Sequence, residues 1–413
     1  MAVFVRNNTD GIDPATVVDP RMVLDPDVIQ NPYPFYDALR VHAPVWRAGD
    51  APVYLVTRYA LVAEAARRVG DFSSEMHALL YRDEQDCLAA TPVSIEPTLP
   101  VSDPPLHTLH KQFIFPNFVS KRMMLIESNL SRRTQQCLDR IAQMEVFDFM
   151  EHVGGVVPAH AMSLLLGLSD DNDRDLITIA YNASEMTGGT MTLDEFFAAQ
   201  QRSHGVSDWL TGQLAARDGT ASNDLMDAIR AAVDQSVLTE RQASIFLITL
   251  LSAGAESTAS LLGNAVRILA DQPGILQLLR DDPALLPNFI EEAGRIESPF
   301  RHHLRHAPAD TELGGVHIPA GSTLLLMWGA ANRDPDQFAS PNTIGIGRKQ
   351  QHMTFGRGIH LCIGAALARM EARVVLSAML ARDRFPVLAR DCPPRWEHSL
   401  MVRRYARLPM AWA

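Results

Sequence analysis

The sequence predicts a mainly α protein with small β-sheets, an α+β architecture in one large domain spanning 1–413. Apolar residues recur at helical spacing through most of the chain, and strand signals gather in only two places. No linker, internal repeat or low-complexity tract divides the 413 residues. Length alone would suggest two or three ordinary domains, but large single-domain enzymes exceed that prior.

The elements follow in order. Residues 32–40 and 59–69 predict helices flanking a strand at Val53 to Thr57. Residues 75–100 read as a long irregular connection, the kind of loop that usually carries function. The longest helix is predicted from Thr239, whose hydroxyl can cap the first turn while Gln242 reaches back, to about Ala270. Residues 300–328 alternate and turn like a small sheet, broken at Pro308 and at Pro319-Ala320-Gly321. A last strong helical pattern starts after Cys362.

Composition narrows the function. Asp and Glu (48) outnumber Lys and Arg (37), a formal charge of -11, which argues against a nucleic-acid partner. Met1 to Asn8 lacks the apolar core of a signal peptide, and the greasiest run, Ile245 to Leu251, is short of the roughly 20 residues a spanning helix needs. The expectation is a cytoplasmic monomer without a membrane anchor. Cys87, Cys137, Cys362 and Cys392 are scattered without zinc spacing or a disulfide pattern, and three of them read as inert.

Cys362 is the exception. It sits in Phe355-Gly356-Arg357-Gly358-Ile359-His360-Leu361-Cys362-Ile363-Gly364, directly before good helix formers. Gly356 and Gly358 permit backbone turns that aim N–H groups at one sulfur. Gly364 keeps bulk away from a flat cofactor. A helix N-terminus favours thiolate and predicts a lowered pKa, and Phe355 can shield the sulfur. A dinucleotide reading fails, because Leu361 occupies the third glycine position and no strong strand precedes the loop. The stretch therefore reads as haem held by a cysteine thiolate, with Cys362 as the iron's axial ligand.

This decapeptide resembles the haem-binding loop of the cytochrome P-450 superfamily, F-G-x-G-x-H-x-C-x-G, at every fixed position, and the likeness extends over most of the chain. It implies the P-450 fold, haem b, and O2 as co-substrate. Within the long helix, Ala253-Gly254-Ala255-Glu256-Ser257-Thr258 resembles the family's oxygen-binding motif, an acid followed by threonine. Glu256 matches the acid and Ser257 stands at the threonine position, with Thr258 next, so these three are the expected proton relay. A hydroxyl bonding back to the preceding turn is expected to open the helix there. Glu292 and Arg295 match the family's structural E-x-x-R pair; its usual basic third partner would fall near Thr343, where this chain departs. His360, Arg305, His107 and Lys111 are the expected partners of the haem propionates, Lys111 replacing an arginine. The cluster His302, His303, Arg305 and His306 does not read as a second metal site, since strand alternation separates those side chains.

The activity implied is insertion of one oxygen atom into a C–H bond of a lipophilic small molecule. No flavin or nicotinamide motif is present, so electrons are expected from separate proteins, and the resemblance to soluble bacterial members implies a small ferredoxin with its reductase; Lys111, Arg357, Arg369 and Arg373 read either as a basic docking patch or as scattered surface charges. Ser252, Ala253, Phe300 and Leu400 match pocket positions, while Arg301, His302 and His303 either meet a substrate's polar end or face away. Two alternatives stay open: a peroxide-driven or rearranging haem enzyme, and a non-catalytic haem ligand sensor.

Overall fold

The computed structural model describes residues 18–412 except 119, 170–172 and 218–223. Met1 to Asn8, read above for a leader, lies outside them.

Helices α1 (Pro26–Gln30) and α2 (Tyr33–His42) precede the antiparallel pair β1 (Val45–Arg47) and β2 (Val53–Val56), then α3 (Tyr59–Ala65). These match the predicted helix–strand–helix run. The stretch 75–100 corrects the expectation of irregular chain: it contains a hairpin, β3 (Ala78–Arg82) against β4 (Leu88–Pro92). Its turn has no glycine. Asp83 Oδ1 accepts from Gln85 N (2.9 Å) and Cys87 N (2.8 Å), and Asp86 takes φ +57°, the left-handed conformation tolerated by Asp.

Next come α4 (Leu106–Ile114), α5 (Ser120–Ile141), β5 (Val146–Asp148), α6 (Val156–Leu166), α7 (Asp173–Met186), α8 (Leu193–Ala215) and α9 (Leu225–Asp234), leading to α10 (Glu240–Asp271). The predicted capping box opens α10: Thr239 Oγ1 accepts from Gln242 N at 3.1 Å and Gln242 Oε1 accepts from Thr239 N at 2.9 Å. By length and composition α10 is apolar enough to cross a membrane, although 56% of its most apolar stretch is buried inside the fold. The helix stays α throughout, so the expected opening of its ladder does not occur.

The chain continues through α11 (Pro273–Asp281), α12 (Leu286–Ile296), β6 (His303–His306), the hairpin β7 (Thr311–Leu313) and β8 (Val316–Ile318), β9 (Thr323–Leu326), α13 (Trp328–Ala331) and α14 (Ala365–Leu380). It closes with β10 (Pro386–Leu388), β11 (Arg395–Trp396), β12 (Tyr405–Arg407) and β13 (Pro409–Trp412). One sheet has the order β1-β2-β9-β6, with β2 and β9 parallel, and it sets His303 opposite Leu326 and Arg305 opposite Leu324. A large apolar cluster gathers α5, α6, α10, α12 and α14, while two smaller clusters pack on the sheet. A cavity is walled by α10, β6 and the loop before α14.

Candidate active site

The loop before α14 is shaped by its glycines. Gly356 and Gly358 take φ +72° and +77°, and a Cβ on Gly358 would sit 2.7 Å from Ala66 O. Cys362 N donates to Phe355 O at 2.9 Å, closing the loop, and the helix begins three residues later with Gly364 as its N-cap. The thiol of Cys362 faces the cavity, which Phe355, Gly356, His360 and Gly364 also line. With no metal at the sulfur, desolvation pushes the thiol pKa up, and the Gly364 N–H and the charge of Arg369 pull it down less strongly. Arg369 lies 4.2 Å over the Phe355 ring and donates to both oxygens of Glu291, which orders the wall beside the sulfur.

Two cations and two imidazoles collect at another part of the cavity. The His107 and His360 rings are 4.4 Å apart, Lys111 Nζ donates to Ile359 O at 3.1 Å, and Arg305 donates to its neighbour Leu304 O at 2.6 Å. Burial lowers the Arg305 pKa to about 10 and the His360 pKa to about 3, and His360 Nε2 is buried without a hydrogen-bond partner. Asp103 is the nearby acid, 3.8 Å from that nitrogen. Two cations, Lys111 and Arg305, beside a desolvated imidazole nitrogen that lacks a partner fit buried carboxylates, and a thiol opening onto an apolar cavity fits a metal at the centre of a flat apolar ring. The residues present therefore fit haem. Among the described residues no group of three or more metal-ligating side chains occurs.

Across α10, Ala253, Gly254, Ser257, Thr258 and Leu261 line the same cavity. A Cβ on Gly254 would lie 2.3 Å from Met162 Sδ, so the small residue is required for packing as well as space. Ser257 Oγ donates to Ala253 O at 2.5 Å. Glu256 does not line the cavity. It is 0% exposed, and its Oε1 accepts from Arg404 Nε at 2.7 Å. Burial raises its pKa while Arg404 opposes the shift. Arg404 in turn donates to Glu397 Oε2 at 2.8 Å and stacks 3.7 Å over Tyr181.

Of the four expected pocket positions, Ala253 and Phe300 line the cavity and the other two do not. Ser252, one residue further round the helix, donates to Ala180 O; Leu400 packs in the apolar cluster that includes Val28, Ile29 and Phe35. Arg301 and His302 also turn away, to Ile29 O and Leu400 O, whereas His303 lines the cavity. Sequence reasoning missed Glu371 of α14. Its carboxyl lines the cavity, burial raises its pKa well above normal, and its Oε2 has no hydrogen-bond partner.

Glu292 and Arg295 form a buried two-toothed pair at 2.7 and 2.9 Å, and Arg295 also donates to Asn332 O, Pro341 O and Thr343 O. The departure at Thr343 does not leave the charge group incomplete: Arg348 Nε lies 3.2 Å from Glu292 Oε2, which also accepts from Gly345 N at 2.7 Å. This corrects the expectation, since a cation arrives from further along the loop. Next to it, Thr354 donates to Gly294 O at 2.8 Å, joining α12 to the strand of chain that leads to Cys362.

Comparison with known proteins agrees with this geometry. The family model described as Cytochrome P450 matches residues 42–407. The chain is 35% identical over 395 residues to "Cytochrome P450 144" of Mycobacterium tuberculosis, covering 93% of this chain and 89% of that one. It is 31% identical over 388 residues to "Vitamin D(3) 25-hydroxylase" of Pseudonocardia autotrophica, covering 92% and 94%. A crystal structure of CYP109E1 from Bacillus megaterium in complex with testosterone superposes with TM-score 0.82 at 25% identity, covering 93% and 98%. The chain belongs to the cytochrome P450 family, haem-dependent monooxygenases that use O2.

Proposed function

We propose that this P450 hydroxylates a lipophilic small molecule with electrons from a separate ferredoxin and its reductase, working as a cytoplasmic monomer built as one domain. The observation that carries the reading is a single cavity, walled by Leu250, Leu261, Phe300 and Leu367, that brings Cys362 together with the small-residue face of α10. Two likenesses support an apolar substrate: the Pseudonocardia relative is named for vitamin D(3), and the Bacillus structure holds testosterone.

In this reading Cys362 would hold the haem iron, and His360, Arg305, His107 and Lys111 would neutralise the propionates. When bound, haem supplies the oxygen activation. The chain's own side chains do the rest. Apolar walls exclude water and hold a C–H bond in place. Ser257 commits its proton to Ala253 O and keeps its oxygen free to accept a hydrogen bond from the cavity, with Thr258 beside it. Glu256 is the acid of the relay: burial raises its pKa while Arg404 opposes the shift, which brings its proton exchange closer to neutral pH than that of an exposed carboxyl. Because Arg404 holds it off the cavity, delivery requires its carboxyl to leave Arg404 or an intervening water.

The position of Glu256 favours a second reading, turnover driven by peroxide, which needs no relay. Glu256→Ala separates the two: reductant-driven product formation is expected to fall far more than peroxide-driven formation, and equal effects would reject the relay. The expected docking cations are largely engaged, Arg369 by Glu291, Arg373 by Glu127 and Arg357 by Tyr59 Oη. The experiment for the whole reading supplies ferredoxin, its reductase and isotopically labelled dioxygen to the holoprotein with a panel of apolar compounds. One labelled oxygen atom in a product is expected; products without label would overturn the assignment.

A further inference from the structure

Trp328 Nε1 donates to His303 Nδ1 at 2.7 Å. An indole nitrogen can only donate, so Nδ1 must be the bare nitrogen of the imidazole and the ring proton must sit on Nε2. Desolvation keeps the ring neutral, with a pKa of about 3. Strand alternation in β6 turns His303 and Arg305 to the same face, and both line the cavity. The described residues offer Nε2 no acceptor, and it is not sealed in by its neighbours. It opens to the cavity beside Phe300, whose ring centre is 5.1 Å away.

We propose that His303 is a specificity-determining residue: Trp328 fixes its Nε2–H as a hydrogen-bond donor toward the cavity, where it takes an oxygen acceptor, a carbonyl or carboxylate oxygen, against the apolar wall of Phe300. The inference deepens the proposed function by naming a polar group on an otherwise apolar ligand, and it rests on that reading. The acceptor has two possible sources, an oxygen on the bound molecule or a carboxylate of the haem itself. Charged donors already serve the haem end, and a neutral donor beside an aromatic wall suits a neutral carbonyl.

The test uses holoprotein with His303→Phe and His303→Gln. Glutamine reproduces the arrangement, since its carbonyl accepts from the indole and its NH2 donates; phenylalanine does neither. The probes are cyclododecanone and cyclododecane, read by the haem absorbance change, together with the rate of haem transfer to apomyoglobin. If the acceptor lies on the bound molecule, the ratio of ketone to hydrocarbon affinity falls about five- to tenfold in the Phe variant and is kept in Gln. If it lies on haem, that ratio does not move and haem leaves several-fold faster from the Phe variant only, which would overturn the specificity role. Unchanged ratios with unchanged haem release would overturn the proposal, as would a Gln variant that behaves like Phe. Loss of the thiolate signature of the parent's carbon monoxide complex is a separate failure, of the site assignment itself.

Discussion

Replacing Arg404 with leucine tests how Glu256 is held. The pair is closed at 2.7 Å, with side-chain exposures of 7% and 0%, so neither partner can turn to water. At an effective dielectric of about 20 the gross attraction is about 6 kcal/mol, and breaking a buried pair from one side typically costs about 3–5 kcal/mol. The Arg404–Glu397 pair adds little, because Glu397 is 31% exposed. The buried carboxyl limits its own loss by taking up a proton, so about 3 kcal/mol is expected near neutral pH. The sign with pH follows from the raised pKa of Glu256. A raised folded value means stability is full below the unfolded value of 4.5 and is lost as pH rises through the folded one. Without Arg404 the folded value climbs further, so the deficit of the variant must widen from about pH 5 to about pH 8. Denaturant midpoints of the holoproteins at both pH values measure it. The double variant Arg404→Leu with Glu256→Gln should recover most of the loss, having no charge left to strand. A deficit that does not change with pH, or a double variant no better than the single, would refute the reasoning.

Three further outcomes are expected. Arg348→Met removes one of the donors to Glu292 and should lower stability by about 1–3 kcal/mol in denaturant melts, with the carbon monoxide spectrum unaltered; stability equal to the parent would show that Arg348 is not part of the charge group. Glu371→Gln should leave stability near that of the parent at about pH 4 and gain on it as pH rises, because the raised folded pKa of Glu371 makes the native carboxyl lose stability in that direction; a constant difference would contradict its buried neutral state. Gly358→Ala combines φ +77° with a contact to Ala66 O, and should cost about 2 kcal/mol and speed haem loss; a variant matching the parent in both would dismiss the strain.

Local signals carried much of this far. The capping residues Thr239 and Gln242 set the start of α10, and the glycines around Cys362 announced a loop that only such residues can form. What stayed hidden depends on contacts between distant residues or on rotation about an axis. Arg404 reaches Glu256 across 148 positions, and Arg348 enters from a loop with no periodicity. Ser252 and Ala253 differ by one step round a helix, about 100°, enough to send one to α7 and the other to the cavity. The tautomer of His303 is set by Trp328, 25 positions on. The hairpin β3–β4 escaped because Asp83 and Asp86 build its turn without glycine.

The central claim is the bond between the Cys362 sulfur and haem iron, and the most direct measurement is the absorbance of the chemically reduced holoprotein under carbon monoxide. The parent is predicted to show the red-shifted Soret band of a thiolate-ligated haem, and Cys362→His to lose that band while still taking up haem. A parent lacking the band, or a Cys362→His variant that keeps it, would contradict the account.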